Sequence, residues 1–269
     1  MPIKIEYKTE QEVRDIKMTG LVSYSAVIDE TYRLLKEKNL VVKDTLFKPN
    51  ANGDTLLGVF IISNIKKTDA DLDACIVWSH SYHKAIRFQC NAGAIDAEGN
   101  IIIRDVTPDI RTRRPSKAAD YQAEMFEEIR LEISFIESSF AKVATFKQDL
   151  SSVKADIGAA SVSLGVLYVE QELLTTSQTS VIKDVILATD ITNGWEMYKC
   201  FAEGLKDSHP KSYLTDHIKM FNFFEEIFSE PEKPEQKHLY LPNKSGKTVN
   251  QDIKEQYNYT SPLPSVTFL

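Results

Sequence analysis

The sequence predicts an α+β fold: an antiparallel β-sheet covered by an N-terminal helix and a long central helix, then a C-terminal helical region and an extended tail. Three observations predict it. Short apolar runs separated by polar turns crowd residues 56–106. Residues 116–155 contain neither proline nor glycine and carry apolar residues at spacings of three and four. From Pro231 onward the composition turns to Pro, Lys, Glu, Asn and Ser. The implied boundaries are 1–157 for an α+β core with its long helix, 158–230 for a helical region and 231–269 for the tail.

The first helix is read from "LVSYSAVIDETYRLLKEKNL", where Ser23 or Ser25 caps the start and Val27, Ile28, Tyr32, Leu34 and Leu35 form one apolar face. "NANGDT" at 50–55 is a turn signal, and "LLGVFIIS" after it is a buried strand. "DACIVWS", "AIRFQCN" and "NIIIRDV" follow as further strands, so closely spaced that antiparallel pairing is the economical solution. Pro115 suits the first turn of the long helix. Its seam runs through Tyr121, Met125, Ile129, Ile133, Ile136, Phe140, Val143, Phe146, Leu150 and Val153. A helix of up to about 40 residues is roughly 60 Å long, and its seam lies either on the sheet or on another subunit. Shorter helices are expected near 166–174, 177–189, 193–206 and 212–229, with Thr175, Thr176 and Ser177 as caps and Pro210 as a breaker. The tail ends in Leu263, Val266, Phe268 and Leu269, apolar enough to dock on its own domain or on a partner.

At 269 residues and 42% hydrophobic content the chain has material for a substantial core. A net charge of −7 argues against coating nucleic acid by bulk charge but leaves room for a local basic stripe. No run of about 18 apolar residues marks a membrane span. The opening "MPIKIEYKTEQEVRDIKM" lacks the apolar core of a signal peptide, and three cysteines make no disulfide framework. The cytoplasm is the expected compartment.

Catalytic chemistry finds little support. Cys75, His80, His83 and Cys90 match a zinc site by residue type, but about five residues of strand separate Cys75 from His80 by some 16 Å. The two cysteines are instead expected near each other as small buried residues. Ser79 and Ser81 beside His80 make no triad. "NKSGKTVN" has Gly-Lys-Thr but Leu241 where a phosphate-binding loop needs glycine. Glu124, Glu127, Glu128 and Glu132 on the long helix read as a solvated face. No enzyme, metal or cofactor is expected.

One surface stands out. "VWSHSYHKAIRFQCNAG", residues 77–93, contains no acid and reads as a β-hairpin turning near His80 to His83. Its Lys84 and Arg87 are joined by Arg104 and by Arg111, Arg113, Arg114 and Lys117 of "IRTRRPSK". With Tyr82 and His83 these supply cations for phosphates and rings for unpaired bases. The competing reading is that the arginines pair with acids, the following Glu-rich helix among them, or serve contacts between subunits.

Two segments add a resemblance. Ser23 and Ser25 at a helix start, Ser79 to Lys84 at a strand end and Cys90-Asn91 form the first set. Trp195, Tyr198, Leu205 and Lys206 in "TNGWEMYKCFAEGLKDSHP" form the second. Together the order resembles the phage/plasmid-like protein family of unknown function, across roughly residues 20–228. Lys199 and Ala202 stand where that family usually has Asn and Thr. The resemblance implies a phage or mobile-element origin, hence the cytoplasm of a bacterial host, and supplies no activity. The order of elements is also similar to that of phage single-strand annealing proteins. The expectation is therefore a non-enzymatic phage protein that forms homo-oligomers and binds single-stranded DNA, with recombination or annealing as its setting. A phage structural or host-interaction protein that assembles without nucleic acid is the alternative.

Overall fold

A computed structural model describes residues 6–17, 22–66, 69–82, 87–104 and 118–228. The chain divides into two units, Met1–Phe228 and Ser229–Leu269, and the second, with the expected extended tail, lies outside the described residues.

The first unit is α+β. A short helix α1 (Glu10–Arg14) and helix α2 (Tyr24–Glu37) precede five strands: β1 (Val42–Pro49), β2 (Thr55–Ile62), β3 (Leu72–Ser81), β4 (Gln89–Asp96) and β5 (Ile101–Ile103). The strands form one antiparallel meander in the order β1-β2-β3-β4-β5. Helix α3 (Ala118–Ser152) follows, then α4 (Ile157–Gly165), a π-helical turn (Val166–Glu170), α5 (Thr176–Ala188), α6 (Gly194–Leu205) and α7 (Tyr213–Phe228). Ser23 caps α2 by accepting from the Ala26 N–H, and Thr175 forms a capping box with Gln178 at α5.

The 35-residue α3 lies on the sheet over β3 and β4, with α2 beside it. Every seam residue from Tyr121 to Leu150 is buried, so the seam is core of this chain and not an intersubunit stripe. Phe146 stacks on Phe221 at 4.0 Å between ring centres, which ties α7 to the same core. The opposite sheet face is smaller and is closed by Tyr213 and Leu214 of α7.

Three features differ from expectation. Strand β1 is not marked by the sequence pattern, because "VKDTLFKP" alternates weakly and only Phe47 in it is fully buried. Helix α4, capped by Asp156, starts well before residue 166. The cysteines are buried but apart. Cys90 lies opposite Trp78 whereas Cys75 lies opposite Gly93, so the two thiols are on opposite faces of the sheet. An odd offset in register flips a side chain through the sheet.

Candidate functional site

Within residues 77–93, Ser79, His80 and Tyr82 act as a clamp. Strand β3 runs on to Ser81 because β2 pairs with it that far, Thr55 opposite Ser81. The alternation of β3 then sends neighbouring side chains to opposite faces. Ser79 Oγ donates to the Pro210 carbonyl (2.6 Å) in the loop before α7. His80 Nε2 lies 2.9 Å from the Val22 carbonyl on the other face. Tyr82 is 5% exposed, and its hydroxyl accepts from the Tyr24 N–H at 3.1 Å. His80 and Tyr82 thus hold the first turn of α2 onto the sheet. Tyr24, Tyr82 and Phe88 surround the imidazole. Burial among these rings lowers the pKa of His80 to about 4, against the opposing pull of the Val22 carbonyl, and among the described residues Nδ1 has no hydrogen-bond partner.

The candidate nucleic-acid residues divide into two groups. His83, Lys84, Arg111, Arg113, Arg114 and Lys117 lie outside the described residues; of the turn expected near His80 to His83, His80 and Ser81 are instead still in β3, paired with β2, and His83 lies outside the described residues. Tyr82, Arg87 and Arg104 are described, and each is engaged within the chain. Tyr82 is a core ring, which removes it as an exposed stacking surface. Arg104 pairs with Glu225 of α7 at 2.8 Å and sits over the Phe221 ring. Half-buried Arg87 precedes β4, which begins only at Gln89, and its charge acts on Glu128 of α3.

Sequence reasoning missed the inward carboxylates of α3. Glu132 is 3% exposed, and both it and Glu128 accept backbone N–H groups of β4. The helical pattern alone carries no signal for this, since Glu124 flanks Met125 just as Glu128 and Glu132 flank Ile129 and Ile133, yet Glu124 is exposed.

A second surface is apolar. Ile157, Val162, Tyr168 and Val169 are exposed along α4 and the π-helical turn, where residues 157–169 hold no charged residue. Among the described residues no group of three His, Cys, Asp or Glu side chains is arranged to hold a metal ion, and no helix is long and apolar enough to cross a membrane.

Comparison with protein-family models, with curated proteins and with solved structures gives no match. The resemblance to the phage/plasmid-like family therefore rests on the quoted motifs alone. Two of them have structural work here: Ser23 caps α2, and Trp195 stacks on Tyr198 in the core (5.5 Å, 12°).

Proposed function

We propose that this is a non-enzymatic protein of phage or mobile-element origin that binds single-stranded DNA through the basic segments 83–86 and 105–117. One topological observation supports the reading. Residues Tyr82, Arg87 and Arg104, where these segments join the fold, all lie toward one end of the sheet: β3 ends there, β4 begins there and β5 runs back toward it. Lys84 with Arg111, Arg113, Arg114 and Lys117 supplies five cations in these two segments, against the two acids Asp105 and Asp109. Tyr82, Arg87 and Arg104 act in this reading as the internal frame of the site.

The test is oligonucleotide binding across a salt series by a variant carrying Lys84→Ala, Arg111→Ala, Arg113→Ala and Arg114→Ala. Weaker binding at all sequences alike is expected, with a salt dependence flattened by about 0.7 per lost phosphate contact on single strands. Equal affinity and equal slope would defeat the proposal.

The assembly reading has its own observation. With the α3 seam buried, the uncharged exposed face of α4 and the π-helical turn is where a second copy would associate without like-charge repulsion. Val162→Glu would then lower the solution mass while leaving oligonucleotide binding intact.

A further inference from the structure

Strand β4 is only half covered by its neighbour. Strand β5 pairs with it at Gly93, Ala94 and Ile95 and then ends at Ile103. Beyond that point the outward N–H groups of Cys90 and Ala92 need acceptors that a longer strand would have supplied as carbonyls. Helix α3 supplies them as carboxylates. Glu128 Oε1 accepts from the Cys90 N–H at 3.0 Å and Glu132 Oε2 from the Ala92 N–H at 2.8 Å. The spacing fits for a geometric reason: four residues of helix rise about 6 Å, and two residues of strand rise about 6.6 Å. An i, i+4 pair on a helix therefore reproduces the repeat of alternate strand residues.

A carbonyl has no charge to lose or gain, whereas a carboxyl does. Burial raises the pKa of Glu128 to about 7. The Cys90 N–H and Arg87 oppose the shift, and the charges of Glu132 and Glu124 add to it. These are the groups around it among the described residues: the Cys90 amide and thiol on β4, Arg87 at the entry to β4, and the two glutamates on α3.

We propose that Glu128 and Glu132 form a latch between α3 and the half of β4 that β5 leaves uncovered, proton-sensitive through Glu128: closed while Glu128 keeps its proton and opening as it is lost. The sign follows from linkage. In the closed state Glu128 keeps its proton to about pH 7, whereas a solvated carboxyl titrates near its ordinary 4.5. The open form therefore gains on the closed one as pH rises through this interval. Between pH 6 and pH 8 the opening equilibrium rises roughly tenfold.

Amide hydrogen exchange of the whole protein, resolved by residue, tests this independently of any nucleic acid. After correction for intrinsic exchange, protection at Cys90 and Ala92 is expected to fall roughly tenfold between pH 6 and pH 8, while Ile76 and Val77 on β3 keep theirs. Glu128→Gln, which retains an acceptor oxygen but cannot ionise, should keep Cys90 and Ala92 equally protected at both values. The same loss in Glu128→Gln overturns the latch. Should that variant not fold, the wild-type series decides alone: flat protection at Cys90 and Ala92, or a loss shared by Ile76 and Val77, overturns it too.

Discussion

Tyr82→Phe separates a clamp from a stacking platform. The substitution keeps the ring and removes only the hydroxyl, which accepts from the Tyr24 N–H at the buried start of α2. That N–H belongs to the first turn of the helix, so it has no intrahelical carbonyl to turn to. Tyr24 is fully buried, so water is not at hand either. Leaving such a donor unpaired costs about 1–3 kcal/mol. For a folded unit of this size each kcal/mol shifts the melting temperature by about 2–4 °C. A loss of about 2 kcal/mol therefore lowers Tm by roughly 4–8 °C. Urea denaturation should show a lower midpoint with an unchanged slope, since the surface exposed on unfolding is the same. Oligonucleotide affinity, measured at a temperature where both proteins are folded, should not change. Tyr82→Leu sharpens the contrast, because it also removes the ring from its contacts with Tyr24 and His80. It should be less stable again, and it should still bind like the wild type. A Tyr82→Leu protein of wild-type stability with weakened oligonucleotide binding would refute the clamp and return the ring to the surface.

Further predictions follow from the same core. Trp195→Ala should cost about 3–5 kcal/mol, because the indole is 8% exposed and stacks on Tyr198 beneath the Lys147 ammonium; chemical denaturation measures it, and an unchanged midpoint would place the ring outside the core. Gly58→Ala should destabilise the sheet, since a Cβ there would lie 2.5 Å from the Trp78 ring directly opposite, and combining it with Trp78→Leu should cost less than the sum of the two single changes. Acid should unfold the protein partly through His80. Its folded pKa is depressed to about 4 from 6.5, so its contribution is complete above pH 6.5 and is lost as pH falls toward 4. His80→Asn should flatten the fall in stability between pH 6.5 and 4, and an unchanged profile would show that the imidazole is already solvated.

Local information settled much of this protein from sequence alone. The α3 seam was legible because a 3.6-residue period over 35 residues leaves little ambiguity about which face is apolar, and all its positions from Tyr121 to Leu150 are core. The caps of α2 and α5 were legible to within a residue or two, as Ser23 or Ser25 and as Thr175, Thr176 or Ser177, because capping is a contact between residues three apart; the fold chose Ser23 and Thr175. Strands β2 and β3 announced themselves by continuous apolar runs, and β1 did not, because an edge strand with few buried side chains carries little pattern. What no local rule supplied was the destination of each polar group. Whether Cys75 and Cys90 share a face depends on one residue of register. Whether His80 and Tyr82 meet solvent or the start of α2 depends on a helix some 58 positions earlier in the chain. Glu128 and Glu132 resemble a solvated row until β5 ends short and leaves N–H groups of β4 for them to satisfy. Backbone periodicity is written in neighbours, whereas a buried polar side chain takes its role from whichever donor or acceptor the tertiary fold leaves unpaired beside it.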